Sequence, residues 1–386
     1  MTSGIRSATV RHIALVLTVL ASCSSTQAVP DREIKVAFFE DLSVPEHVDL
    51  VSPSFLAFEM VVRRRLDDSD IAVEVVQLDT GGDAGAAVAM ALEVAADPRF
   101  VLAVAAPFWR EPAEVARVLA SAGVPTISLS PDSSSPWRQD AAPPGDPLEL
   151  WRRLVPDRRA EAALLADLAA RRTPEGDPEQ VCLVSDDSPY GAQLLREIDA
   201  RLGVWPSTTI DDVAAPAAAA DVASSGCAVV VWGGFPPGAR DLARAMRESG
   251  SNRGRPVDLA GAALKTTVPP TSPAGNGVVV GSVACPCADV TLELGLASRR
   301  FVNAYQSEHG VAPGVYAAEG WDAGRIASAA MAAGAVDRAG MRASVRALVG
   351  FEGVARAYAF APDGDLVAAR AGLFVAAGTR WLLLPS

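Results

Sequence analysis

Lysine is nearly absent. Only Lys35 and Lys265 occur in 386 residues, so arginine carries almost all of the positive charge. Basic side chains number 34 against 46 acidic ones, a formal charge of -12. An excess of that sign repels a phosphate backbone instead of releasing its counterions, and no nucleic-acid partner is expected. Histidine is scarce too, with His12, His47 and His309 alone. Neither H-E-x-x-H nor a G-x-S-x-G elbow is present, and Asp79-Thr80-Gly81-Gly82 lacks the lysine of a phosphate loop. No enzyme activity, cofactor or metal is expected on these grounds. Beyond the first two dozen residues no uncharged apolar run approaches the roughly 18 residues that would suggest a membrane span.

Half of the residues are hydrophobic and 21% are charged, a balance that suits a folded chain. The length exceeds one comfortable core and suits two lobes. At the amino terminus Arg6, Arg11 and His12 precede the apolar run 13–21. That run has the length of a secretory leader, about 7–15 residues, and is shorter than a membrane span. Leu20-Ala21-Ser22-Cys23 resembles the lipobox of bacterial lipoproteins, with Cys23 as the lipid attachment point. The other reading is a plain leader cut near Ala28. Both readings export the chain, and both remove two arginines and no acid. Residues 1–22 are therefore read as leader and 23–32 as tether.

Four cysteines remain: Cys182, Cys227, Cys285 and Cys287. An oxidising exterior permits disulfides, and four cysteines allow three pairings. Cys285-Pro286-Cys287 has the wrong spacing for a C-x-x-C motif, and no histidine or second cysteine pair near it in sequence completes a metal site.

The hydrophobic pattern alternates short apolar runs with helical stretches. Strands are predicted over 34–39, 71–78, 101–105 and 124–129, with helices over 54–66, 84–96 and 111–122 between them. This βαβ rhythm implies a parallel sheet with right-handed crossovers. A segment rich in Pro, Ser and Asp, 131–148, leads into a second lobe. There the predicted strands are 180–185, 207–211, 227–232, 257–260 and 278–283, and the helices are 159–172, 191–202 and 237–249. In such a lobe the first and third strands are neighbours, which favours Cys182 with Cys227 as a disulfide. Three helices follow, 291–309, 320–334 and 337–349. With no strands between them, they must pack on a sheet already built, most simply the first. A strand at 358–360 and a pair at 372–376 and 380–384 close the chain.

Five short motifs occur in order: Ala122-Gly123-Val124-Pro125-Thr126-Ile127-Ser128, Trp151-Arg152-Arg153-Leu154-Val155-Pro156-Asp157, Asp186-Asp187-Ser188-Pro189-Tyr190-Gly191, Phe301-Val302-Asn303-Ala304-Tyr305 and Tyr316-Ala317-Ala318-Glu319-Gly320-Trp321-Asp322-Ala323. In this order the chain resembles, over about residues 33–370, the extracytoplasmic solute-binding proteins of ABC transporters. Within these it is similar to the leucine/isoleucine/valine-binding family with its type I periplasmic-binding-protein fold. The resemblance implies an α/β architecture of two doubly wound, Rossmann-like lobes joined by three hinge crossings. The first lobe is taken as 33–149 plus 286–350 and the second as 150–285 plus 351–386. The implied mechanism is that of a Venus flytrap, in which the lobes close over a small solute and the closed form meets a permease. A monomer is expected.

The implied ligand residues are carried over position by position. Asp41 and Ser43 end the first strand. Phe108, Trp109 and Arg110 stand where the family supplies a carboxylate-binding serine, and Arg110 offers a bidentate fork instead. Ser130 and Asp132 occupy the loop after the fourth strand, where Pro131 has no N–H to donate. Tyr190 and Trp232 match aromatic positions of the second lobe. The family's amine-binding acid aligns near Ala263, where no carboxylate stands. The amino-acid clamp is thus incomplete, which argues against leucine, isoleucine and valine. An amino-acid-like or amide-like solute, aromatic ones included, is expected. Trp109 and Trp232 have core packing as their alternative role, Arg110 a salt bridge at the cleft rim, and Asp41 and Ser43 a solvated loop. Asp322 is read as structural. The alternative function is a ligand sensor or envelope regulator with the same fold.

Overall fold

The computed structural model describes residues 32–43, 45–67, 69–107, 109, 113–131, 143–173, 180–186, 188–202, 227–234, 242, 257–261, 278–285, 287–288, 295–367, 369–377 and 380–384. The leader, Cys23, the predicted strand at 207–211 and, apart from Leu242, the predicted helix at 237–249 lie outside them.

The first sheet is parallel throughout. It is built from β1 (Arg32–Glu40), β2 (Ile71–Asp79), β3 (Phe100–Ala105), β4 (Thr126–Ser128) and β5 (Trp151–Arg153), in the order β2-β1-β3-β4-β5. Residues 36–40 of β1 and all of β3 are buried, as expected for strands covered on both faces. Four helices connect these strands: α1 (Pro45–Leu66), α2 (Ala84–Ala96), α3 (Ala113–Ser121) and the single turn α4 (Pro147–Leu150).

The second sheet holds β6 (Val181–Ser185), β7 (Val229–Gly233), β8 (Val257–Gly261), β9 (Val278–Cys285), β12 (Gly372–Ala377) and β13 (Arg380–Leu384). Its order is β13-β12-β9-β8-β7-β6, parallel from β6 to β9 and antiparallel at β12 and β13. Helices α5 (Arg158–Arg172) and α6 (Pro189–Leu202) pack on each other beside it. Cys182 and Cys227 form a disulfide at a Cα separation of 5.9 Å, made possible by the pairing of β6 with β7. Cys285 and Cys287 are joined as well, 5.1 Å apart.

Three later helices, α7 (Leu296–His309), α8 (Ala317–Ala332) and α9 (Arg338–Ala347), return to the first lobe. Helix α8 lies so close to α1 that a Cβ at Gly320 would meet the backbone of Ser54, and one at Gly324 would meet Val61 and the backbone of Phe58. The two glycines are what allow this approach.

The structure corrects three expectations. Helix α1 begins at Pro45, nine residues before the predicted start, and runs through Pro53. Proline suits a first helical position, and one inside the helix removes a single backbone bond without ending the helix. The lobe boundary at 149/150 falls too early, because Trp151–Arg153 pairs with β4 in the first sheet. The boundary at 350/351 also shifts. Strands β10 (Gly350–Glu352) and β11 (Ala357–Ala359) form a small antiparallel sheet of their own, and Phe351, Tyr358, Phe360 and Leu366 pack on the first core. Only the strand pair from Gly372 onward joins the second sheet. Asp322 has the expected structural role. It accepts the backbone N–H groups of Val354 and Ala355, both at 2.8 Å, and the Tyr358 hydroxyl at 3.0 Å.

One side chain closes the far edge of the first lobe. Arg338 donates to the carbonyls of Val94 (2.8 Å), Ala95 (3.1 Å), Asp97 (2.8 Å), Phe100 (2.9 Å) and Ala122 (3.1 Å). These include carbonyls that the ends of α2 and α3 leave without helical partners. Arg338→Met is expected to lower unfolding stability by about 2–3 kcal/mol at unchanged urea m-value. Arg338→Lys should recover only part of it, because an ammonium offers three donors and no planar fork.

Candidate functional site

Open parallel sheets bind ligands beyond the carboxyl ends of their strands. At the end of β1 the carbonyl of Glu40 accepts both the backbone N–H and the hydroxyl of Thr80, each at 2.9 Å. The Thr80 hydroxyl in turn accepts the indole N–H of Trp109 at 3.2 Å. Trp109 stacks on Phe39 with ring centres 5.1 Å apart and belongs to the first core. Asp41 is half-buried beside Gly82 and accepts the Ser43 N–H at 2.9 Å, while Ser43 is exposed. The side chain of Glu40 itself is buried. Burial pushes its carboxyl up to about 7, with Gln77 opposing the rise and the charge of Asp79 adding to it.

Beyond β4, Ser130 is buried and its carbonyl accepts from Arg153 at 3.4 Å. Arg153 is a buried cation at the point where the chain leaves the first sheet. It pairs with Asp365 at 2.7 Å and also reaches the carbonyl of Pro131. Its neighbour Arg152 donates to the Trp151 carbonyl at 2.8 Å and lies over the ring of Phe360. Burial lowers the Arg152 guanidinium to about 10, with Asp146 opposing.

In the second lobe Trp232 is fully buried within β7. Tyr190 opens α6, buried, and its hydroxyl donates to Glu161 on α5 at 3.2 Å. The guanidinium of Arg158 lies 5.3 Å from the centre of the Tyr190 ring. Gly191 and Gly233 must lack side chains, since a Cβ on either would collide with the backbone of the other. That contact seats the first turn of α6, and with it Tyr190, on the end of β7. From the first lobe comes Tyr316, buried and held in the left-handed region at φ 64°, the start of α8. It lies within electrostatic reach of both Glu161 and Glu319.

The structure therefore brings Tyr190 together with Glu161, Arg158 and Tyr316, none of which the motif reading selected for the site. Phe108, Arg110, Asp132 and Ala263 lie outside the described residues. Glu161 falls at helical spacing among alanines and leucines, where an acid ordinarily reads as a solvated position. Tyr316 was visible only as the first residue of one of the five motifs. The described residues contain no cluster of His, Cys, Asp and Glu arranged to hold a metal, and none of their helices is long and apolar enough to cross a membrane.

Two α/β lobes, each with a largely parallel sheet, whose polar and aromatic side chains meet beyond the strand ends define a two-lobed ligand-binding protein. The chain belongs to the periplasmic binding protein family, whose family model matches residues 33–376. Solved structures agree on the fold. An ABC transporter substrate-binding protein from Desulfitobacterium hafniense, in complex with Leu, is 17% identical with a TM-score of 0.65, covering 92% of this chain and 99% of its own. A possible leucine/isoleucine/valine-binding protein from Rhodopirellula baltica is 14% identical at TM-score 0.69, covering 93% and 98%. A solute-binding protein from R. palustris, in complex with benzoate, is 15% identical at TM-score 0.68, covering 91% and 95%. No curated protein sequence matches the chain. The family is one of periplasmic binding proteins, and these neighbours are substrate- or solute-binding proteins.

The folded chain holds a proton on Glu40 that the unfolded chain releases above its ordinary value of 4.5, so stability is lost as pH rises from there through about 7. Glu40→Gln mimics the protonated form. Its melting temperature should equal the parent's near about pH 5 and exceed it near about pH 8, and an equal offset at both would show an ordinary carboxyl.

Proposed function

We propose that the protein binds a small organic solute, amino-acid-like or amide-like and including ring-bearing ones, between its lobes and delivers it to an ABC permease. The observation that carries this reading is the meeting of Tyr190 and Glu161 from the second lobe with Tyr316 from the first. Groups so placed replace a solute's water only when both halves touch it, which is the differential contact that closure requires. That one neighbour of this fold is in complex with Leu and another with benzoate supports a solute of similar size. We further propose that Cys23 carries the lipid that holds the mature protein at the outer face of the membrane. A permease and an ATPase encoded beside this gene favour delivery, and a kinase or cell-wall synthase there favours the sensor alternative.

A thermal-shift and tryptophan-fluorescence screen over amino acids, amides and aromatic acids should find a stabilising solute, and silence across all three classes would count against the reading. Cys23→Ser should move the protein from the membrane to the soluble fraction. Retention at the membrane would remove the anchor from the proposal.

A further inference from the structure

We propose that the Cys285–Cys287 disulfide is a redox-sensitive joint. Closed, it fixes the direction in which the chain leaves the second sheet for the first lobe; opened by a dithiol, it frees that crossing while both lobes stay folded. The joint works without a solute, so it stands or falls apart from the binding reading above.

The passage between lobes is short at this point. Cys285 ends β9 and pairs with Gly372 of β12, inside the second sheet. Three residues on, the Ala288 N–H donates to Glu319 Oε1 at 2.6 Å, in the first turn of α8. Ala288 also packs on the cluster of Ala57, Met60, Phe301, Tyr305, Ala317 and Ala318, which α1, α7 and α8 supply. Glu319 is buried and is paired with Arg356 at 2.9 Å. The chain thus trades one lobe's contacts for the other's within residues 285–288. The disulfide encloses the first three of these, with its Cα atoms 5.1 Å apart and the Cys287 N–H donating to Cys285 Sγ at 3.3 Å.

Loop length separates the roles of the two disulfides. What a bridge adds to global stability grows with the loop it closes. Cys182 and Cys227 are 45 residues apart and their bridge ties β6 to β7, whereas Cys285 and Cys287 are 2 apart. The longer bridge holds the second lobe's fold, and the shorter one holds little beyond the path of its own backbone. Cys285 and Cys287 are both buried, so a reductant reaches them through local opening. Opening costs least at the end of an element. Cys285 is the last residue of β9, while Cys182 lies inside the ladder of β6 with β7, opposite Val230.

The exchange is a two-step displacement. One thiolate of the dithiol attacks a sulfur of the bridge, forming a mixed disulfide and releasing the other cysteine as a thiolate that takes up a proton. The second thiol of the reductant then displaces the mixed disulfide and frees the remaining cysteine. Two electrons and two protons pass to the protein, and the reductant leaves as its own disulfide. The freed thiols stay close along the chain, so exchange with a disulfide oxidant recloses the bridge intramolecularly.

The experiment titrates the oxidised protein with dithiothreitol in the absence of denaturant. Opened cysteines are mapped by iodoacetamide alkylation and mass spectrometry, and amide hydrogen exchange is followed on the same samples. Cys285 and Cys287 are expected to alkylate at a reductant concentration that leaves Cys182 and Cys227 paired. Exchange at Ala288 should then rise roughly tenfold with β1 and β3 unchanged, and the melting temperature should move by less than about 2 °C. The double variant Cys285→Ser/Cys287→Ser should show the fast exchange at Ala288 without reductant and respond no further to it. Alkylation of Cys182 and Cys227 first, or an opened Cys285–Cys287 pair with unchanged exchange at Ala288, would overturn the joint. A double variant that does not fold would overturn it too, because the bridge would then hold the lobe itself.

Discussion

A buried positive charge at the crossing between lobes is the constraint around which the rest is arranged. Arg153 is almost sealed from water, and a lone guanidinium there would be prohibitively costly. Its counter-charge, Asp365, lies 212 residues away in sequence, and Arg153 also reaches the carbonyls of Ser130 and Pro131. The same residue therefore holds the chain just after β4, the strand that leaves the first sheet and the late turn that crosses back. Arg158 adds a backbone bond to the Pro131 carbonyl from the second lobe's side. The end of β4, the strand that leaves the first sheet and the first turn of α5 are thereby tied into one unit.

Sequence patterns made the layered architecture legible because the parallel strands are buried on both faces and read as continuous apolar runs. The helix at 84–96 was placed to the residue from its apolar pattern, and in the structure Asp83 caps its start. The pairing of Cys182 with Cys227 followed from strand adjacency alone. Patterns failed where an interaction spans the chain. The helix predicted from residue 54 in fact starts at Pro45, and nothing local showed that α8 would pack on it. Trp151–Arg153 looked like an entry into the second lobe because its partner strand lies more than twenty residues earlier across a segment without periodicity.

The candidate site was legible in part. Tyr190 was found through its motif, and the structure gives it a partner that no motif marks. Glu161 and Arg158 are one helical turn apart, a spacing that on a solvent-facing helix means a surface ion pair, and only the tertiary fold buries that face. Glu40 went unremarked for the opposite reason: it ends an apolar strand, where an acid reads as the first residue of a loop. Trp109, an aromatic at a predicted ligand-facing position, stacks on Phe39 and donates its N–H to Thr80, contacts that the local pattern did not announce.

The two halves also differ in their sulfur chemistry. After Cys23 every cysteine of the chain falls between residues 182 and 287, and the disulfides Cys182–Cys227 and Cys285–Cys287 both belong to the second lobe. The first lobe is held by packing and by Arg338. A thiol reductant consequently acts on one half of the molecule only, loosening the edge of one sheet while its twin keeps its shape. The benefit of an oxidising compartment thus falls on a single lobe.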